Sequence, residues 1–202
     1  MPLLVEPLIP AGRFSGVEQP VIPVAGGLVA RPWRAGDAAA VVAAFADPSI
    51  QRWHTRRVDG EDEAAGWIGQ WRRAWREETA AHWAIADART GAVLGRVSLQ
   101  RFILVGGQAE IAYWVVPGAR GAGVCTRAVD AVAGWALRDG GFHRVELGHS
   151  VANPASCRVA EKTGFALEGV RRRAVLHTDG LHDMHLHARL RPAAGGEAQI
   201  PL

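Results

Sequence analysis

The run AEIAYWVVPGARGAGVCTRA, from Ala109 to Ala128, holds the most chemically suggestive spacing in the chain. An apolar segment is broken by Pro117-Gly118, passes through Gly121 and Gly123, and continues with apolar residues at helical period. A helix that begins at such a turn leaves the N–H groups of its first turn without intrahelical partners. Together with the aligned peptide dipoles they favour an anion, and a pyrophosphate fits. Arg120 and Arg127 add positive charge nearby. The spacing is neither GxGxxG nor GxxxxGK followed by Ser or Thr, which disfavours a Rossmann dinucleotide site and a nucleotide P-loop. The same glycines also suit tight packing of a strand on a helix, and both readings stay open here.

Other candidates are scattered. Glu110 sits on the strand that leads into the turn, among Ile111, Ala112 and Trp114. A carboxylate there is costly unless it faces a wet cleft. Asn153-Pro154 is a helix start, with Ser156 in its first turn. Cys125 and Cys157 are the only cysteines and form no CxxC, so neither a disulfide framework nor a cysteine zinc site is indicated. At a helix N-terminus the Cys125 thiolate would be favoured. His177, His182, His185 and His187 cluster with Asp183, and His185 and His187 share one strand face. No second ligand-rich segment completes a metal site, so no metal is expected. Arg171-Arg172-Arg173 lies on a strand, where alternate members point to opposite faces, so it makes no continuous basic stripe.

The elements that must position these residues follow from periodicity. Leu28–Trp33 reads as a strand, and Asp37 as the cap of a helix over Ala38–Ala46 that ends at Asp47-Pro48. Glu61–Glu78 is an amphipathic helix whose stripe is Trp67, Ile68, Trp71, Ala74 and Trp75. Strands His82–Asp87, Ala92–Phe102 and Gln108–Val116 form a meander. A long helix spans roughly Gly121–Arg138, with Val124, Ala128, Ala131, Val132 and Trp135 as its apolar stripe. His143–Gly148 is a short strand, Asn153 to Gly164 a helix, and Phe165–Leu176 with Leu181–Leu190 a closing hairpin. Helices interleaved with an antiparallel meander predict an α/β fold of mixed α+β character: one mixed, mostly antiparallel sheet with helices on both faces.

Length and composition bound the rest. The chain has 202 residues, enough for one domain with a core of its own. We divide it into an extended N-terminal arm over residues 1–26 with five prolines, a domain over 27–191, and a tail over 192–202. A net charge of +3, from 23 basic against 20 acidic residues, is too small for a dedicated nucleic-acid binder. No apolar run approaches a membrane span. The start, with Pro2, Glu6, Pro7 and Pro10, is a poor signal peptide, so a cytoplasmic protein is expected.

Against this background Arg120-x-x-Gly123-x-Cys125 resembles the acyl-CoA signature of the GNAT superfamily, Gln/Arg-x-x-Gly-x-Gly/Ala, with Cys125 as a small-residue departure. Three further blocks resemble its ribosomal-protein N-terminal (Rim-type) acetyltransferase-like branch. They are Leu28-Val-Ala-Arg-Pro-Trp-Arg-Ala-Gly-Asp37, the segment from Asn153 to Phe165, and Gly169 with Asp179-Gly180 and His182-Asp183 in the last hairpin. The resemblance spans about Leu28 to Leu190 and implies a single GNAT-like domain with a splayed sheet.

It also implies acetyl-CoA as cosubstrate and no metal. The backbone of Trp114, Val115 and Val116 would pair with pantetheine, and the turn Arg120, Gly121, Ala122, Gly123, Val124 and Cys125 would take the pyrophosphate. Asn153 would contact the pantetheine arm, with a pure helix cap as its other reading. Glu110 would act as base or amine-orienting residue, or else as a structural glutamate. Ser156 would hydrogen-bond the coenzyme sulfur and act as the acid, or else only tie to Asn153. The sole tyrosine, Tyr113, is on the wrong element for the superfamily's usual acid. The reaction implied is direct acetyl transfer to a primary amine. The acceptor is a protein N-terminus or, in the alternative, a small amine, an amino acid or an antibiotic; a non-catalytic acyl-CoA binder is the other alternative. The tryptophan-rich helix and the loop Gln51–Asp59, with Trp53, His54, Arg56 and Arg57, should line the acceptor pocket. A homodimer is compatible with all of this; direct nucleic-acid or membrane partners are not expected.

Overall fold

A computed structural model describes residues 4–192. Its strands are β1 (Ile22–Val24), β2 (Leu28–Pro32), β3 (Ala81–Asp87), β4 (Val93–Ile103), β5 (Gln108–Val115), β6 (Arg144–Ser150), β7 (Ala166–His177) and β8 (Gly180–Leu190). The helices are α1 (Ala38–Phe45), α2 (Pro48–Gln51), α3 (Glu61–Arg76), α4 (Val124–Arg138) and α5 (Pro154–Lys162). All eight strands form one sheet in the order β1-β2-β3-β4-β5-β6-β8-β7. Among the described residues no helix is long and apolar enough to cross a membrane.

The sheet is antiparallel except at β5 and β6, which run parallel. That pair is short. Its register covers only Gln108↔Arg144, Ala109↔Val145 and Glu110↔Glu146, although both strands continue. Beyond Glu110 they diverge, and the sheet is split open at its centre.

Each face has its own core. On one, α4 lays Val124, Ala128, Val129, Val132 and Ala136 on Val97, Leu99, Ile111, Val145 and Leu147. Of the expected stripe, Val124, Ala128 and Val132 are buried while Ala131 and Trp135 are only partly so, and the buried face turns instead to include Val129, Ala133 and Ala136. On the other face, α1 and α3 bury Val41, Phe45, Ala64 and Ile68 against Trp33, Ala84 and Trp114.

Several local expectations are corrected. Asp37 does not cap α1. Its carboxylate takes two hydrogen bonds from Arg31, at 2.7 and 2.9 Å, and one from the Arg34 amide at 2.8 Å. The first helix does end before Asp47-Pro48 as expected, but a further short helix was not foreseen: the Asp47 side chain accepts the Ser49 and Ile50 amides and starts α2. The N-terminal arm is not a detached extended segment. Phe14 is buried, stacks on Phe142 at 5.8 Å and tilts against Trp75 at 5.1 Å. Glu78 accepts the Gly12 and Phe14 amides, and the indoles of Trp75 and Trp83 donate to Val17 and Pro20 carbonyls. Ile22–Val24 adds β1 to the sheet. The arm is a strap whose anchors come from distant segments, so no periodicity marks it, and residue 27 is no structural break. Most of the 192–202 tail lies outside the described residues.

The Arg31–Asp37 pair yields a prediction. Both side chains are buried, and removing one partner strands the other charge, which costs about 3–5 kcal/mol. Burial pushes the Asp37 carboxyl up, but the Arg31 hydrogen bonds and charge outweigh it and hold it below the ordinary carboxylate value. A depressed folded value means this stabilisation is full above the unfolded value, about 3.9, and is lost as pH falls through the folded one. Asp37→Ala should therefore be destabilised by about 3–5 kcal/mol in urea unfolding at pH 7. Its deficit against the parent should shrink as pH falls below the ordinary carboxylate value of about 3.9 and through the depressed folded one.

Candidate active site

The split between β5 and β6 opens into a cleft of about 1180 Å³. Successive β5 side chains point to opposite faces. Tyr113 packs with the α4 core and Trp114 with the α1–α3 core, yet both line this cleft, which therefore passes through the sheet.

At one mouth lies the glycine turn. Gly121 (φ +77°) and Gly123 (φ +71°) are both in the left-handed region that disfavours a side chain. Gly123 is the residue before α4, and no side chain caps the helix. The first intrahelical bond runs from the Arg127 amide to the Gly123 carbonyl. The amides of Val124, Cys125 and Thr126 are left as donors at the positive end of a 15-residue helix. The amide of Arg120 is not available, since it donates to Pro117. The Arg120 guanidinium is drawn away from the turn as well, to Ser49 at 2.8 Å, Asp47 at 3.5 Å and the Val115 carbonyl at 3.2 Å. Arg127 folds back over the turn and donates to the Ala122 carbonyl at 2.8 Å. Cys125 also lines the cleft, but burial pushes its thiol up to about 12. The thiolate expected from a helix N-terminus is thus overridden, because the side chain points into the core where a charge is unsolvated.

In the middle of the cleft, β5 faces α5. Asn153 caps α5, its Oδ1 accepting the Ser156 amide at 3.2 Å. Tyr113 comes from the strand, and its hydroxyl donates to the Ser156 carbonyl at 3.5 Å. The one tyrosine is on a different element from the expected acid and still reaches the same turn of α5. Burial holds its hydroxyl protonated well past its usual range.

The other end of the cleft starts at the last β5–β6 pair and is lined by residues of α3. Glu110 lies on it, about a third exposed, and pairs with Arg101 at 2.9 Å. Gly148 stands across from it; a Cβ there would come within 3.7 Å of Glu110 Oε1. Trp53, His54, Arg56, Trp67 and Trp71 line this end, as the sequence led us to expect, whereas Arg57 pairs with Asp59 instead.

Three features here were not read from the sequence. Ser150 Oγ, His182 and Asp179 form a hydrogen-bonded chain, 2.6 Å to Nδ1 and 2.7 Å from Nε2. It exists because β6 runs to Ser150, two residues past the expected end. Arg96 stacks on Trp71 and bonds His82 Nδ1 at 2.9 Å and Ser98 Oγ at 3.1 Å. Its Nε is buried without a partner, it has no carboxylate partner among the described residues, and burial lowers it to about 10. Lastly, His149 and Cys157 join His185 and His187 behind α5. The second ligand-rich segment that seemed missing is split between β6 and α5, single residues that no local pattern could mark. Arg171–Arg173 are all exposed on β7, the edge strand.

A sheet opened at one parallel pair, with a glycine turn and a helix N-terminus at one mouth, is an architecture shared with solved acetyltransferases. A solved structure of RimL, ribosomal L7/L12 alpha-N-protein acetyltransferase, in complex with coenzyme A matches with a TM-score of 0.79. The identity is 22%, over 85% of this chain and 98% of that one. Mycobacterium smegmatis RimJ, solved with a coenzyme A disulfide, matches with a TM-score of 0.77 and 23% identity over 85% of this chain and 86% of that one. These likenesses are of fold. The family model described as the acetyltransferase (GNAT) domain matches residues 28–166, and the chain belongs to that family. Among curated relatives, the ribosomal-protein-serine acetyltransferase of Escherichia coli (strain K12) is 32% identical over 98 residues, 48% of this chain and 55% of that protein. The probable N-acetyltransferase YjcK of Bacillus subtilis (strain 168) is 35% identical over 112 residues, 55% of this chain and 62% of that protein. The chain thus matches a little over half the length of these relatives.

Proposed function

We propose that the protein is an acetyl-CoA-dependent N-acetyltransferase that passes the acetyl group directly to a primary amine, with a protein N-terminal α-amine as the acceptor. The observation that carries this reading is the split of β5 from β6 after Glu110, with the uncapped α4 turn at one end and Glu110 at the other. The turn fits a pyrophosphate: two left-handed glycines keep it bare, and three amides point outward. The open edge of β5 through Trp114, Val115 and on to Val116 fits the amides of pantetheine, which would add as a strand does.

The thioester then lies where β5 and α5 face each other. Glu110 takes a proton from the amine as nitrogen attacks the thioester carbonyl. The C–S bond breaks and the sulfur takes a proton from Ser156 or from water relayed by it. A free α-amine titrates near 8, so a carboxylate acting directly or through water is base enough. Arg96, whose side chain lines the cleft, supports an acceptor that offers an oxygen to its guanidinium, such as the first carbonyl of a peptide. Incubation with acetyl-CoA and a panel of N-terminal peptides, amino acids and small amines, read by release of free thiol, tests the reading. Peptide turnover is the expected result. Turnover of small amines alone would replace the acceptor. Coenzyme binding with no turnover of any amine would make the protein a passive binder.

Direct transfer carries a second expectation. Cys125 is at the pyrophosphate end and its thiol is held protonated, so it forms no acetyl-enzyme. Cys125→Ala should keep turnover, and mass spectrometry of the parent with acetyl-CoA alone should find no acetylated cysteine.

A further inference from the structure

Four side chains with no part in acetyl transfer converge behind Ser156. His149 on β6 is the direct cross-strand neighbour of His185 on β8, and His187 is two residues along the same face of β8. Cys157 reaches them from the first turn of α5. One ligand atom from each residue lies within 4.8 Å of every other. His149 and His187 are almost wholly buried, at 5% and 2% exposure.

The contacts of the outer ring nitrogens favour one tautomer of each ring. His149 Nδ1 lies 2.8 Å from the Ser150 carbonyl oxygen, and His187 Nδ1 lies 3.3 Å from that of Phe165. A carbonyl oxygen only accepts, so each Nδ1 is the donor and each neutral ring turns a bare Nε2 inward. Those two Nε2 atoms face each other at 3.2 Å. Two lone pairs in a dry site repel unless a cation lies between them. A backbone carbonyl holding the outer ring nitrogen is the usual support of a metal-ligating imidazole. Two imidazoles on one tetrahedral zinc, each about 2.0–2.1 Å away, place their nitrogens about 3.3 Å apart, close to the distance here. The third ring contributes a further signal: His185 Nδ1 is buried with no partner.

We propose that His149, Cys157, His185 and His187 form a zinc site, a Cys–His₃ set in the wall of the cleft, which His149 also lines, and with no step of its own in acetyl transfer. Nitrogen and thiolate donors suit Zn²⁺ and exclude the oxygen-seeking Mg²⁺ and Ca²⁺. Four protein ligands close the coordination shell, which makes the ion structural. Binding forms a Zn–S bond and releases the thiol proton, with Glu161, 3.6 Å from Sγ, as its first acceptor on the way to solvent. The ion would clamp the first turn of α5, with Asn153 and Ser156, onto β6 and β8.

The test uses the whole protein stripped with a chelator and then titrated with Co²⁺ as a spectroscopic stand-in. Saturation at one Co²⁺ per chain is expected, with the visible bands of a tetrahedral ion and a thiolate-to-cobalt charge-transfer band, all displaced by Zn²⁺. Cys157→Ser should lose the charge-transfer band, and His187→Gln should weaken binding by at least about 100-fold, more than loss of a supporting group does. Circular dichroism checks whether each variant is folded. The milder Cys157→Ser keeps the test alive should His187→Gln unfold. Absence of a stoichiometric tetrahedral spectrum in the parent overturns the proposal, and marks the two rings as an imidazole–imidazolium pair. A charge-transfer band that survives Cys157→Ser overturns it as well.

Discussion

Gly123→Asp should lower acetyl-CoA affinity by at least about 100-fold. Gly123 sits at φ +71° on the threshold of α4, where the amides of Val124, Cys125 and Thr126 point outward. An aspartate there would accept those amides itself, as a helix cap does, and set a carboxylate where the pyrophosphate belongs. Losing two charge-assisted hydrogen bonds, each worth about 1.5–3 kcal/mol, already accounts for about 10²–10⁴ in binding. The left-handed backbone adds a strain of about 1–2 kcal/mol for any side chain. Gly123→Ala separates the two effects, since it carries the strain without the charge. It should melt lower than the parent but lose far less affinity than the aspartate. Calorimetry with acetyl-CoA measures both. If Gly123→Asp binds as tightly as the parent, the phosphates lie elsewhere.

The second large effect belongs to Glu110→Gln. Positioned proton transfer is worth about 10²–10⁴ in rate, and the amide keeps the size and hydrogen bonding of the carboxylate while removing the base. The loss should be greatest below the amine's own value of about 8 and should shrink above it, where the amine is already neutral. Ser156→Ala should instead slow turnover at every pH and leave acetyl-CoA affinity nearly unchanged. The measurement is rate against pH for the parent and both variants with one accepted amine. A Glu110→Gln profile parallel to the parent throughout would remove Glu110 as the base. Deprotonation would then pass to water or to an imidazole that lines the cleft, such as His177.

Legibility in the sequence followed the range of the interactions. The meander β3–β5, the glycine turn into α4 and the Asn153 cap of α5 are written in adjacent residues, and their positions could be read within a few residues. The splay was reached only through the resemblance to a family; no local pattern says that a ladder stops after three pairs. The N-terminal strap was missed because Phe14 and Ile9 owe their burial to Phe142 and Gly141, more than a hundred residues away. Arg31 and Asp37 each look like surface charges alone, and only the turn between them turns one toward the other. His149 and Cys157 are isolated in sequence, and they meet His185 and His187 only through the antiparallel register of β6 on β8 and the seat of α5. Arg120 shows the opposite error. Its side chain, expected beside the turn, is spent on Ser49 of α2 and on the helix cap Asp47.

The early end of the β5–β6 ladder has a colloidal consequence. A strand with one side unpaired is a template for any extended chain, and proteins ordinarily cover such edges or charge them. Here the edge lies in the middle of the sheet and must stay bare to work. On the proposed function its occupant is the coenzyme, so the empty protein should be the adhesive form and the loaded one inert. Handling should reflect this: concentrated stocks keep best with coenzyme present. At a hundred times its dissociation constant the coenzyme also deepens the native well by about 2.7 kcal/mol, with no residue changed.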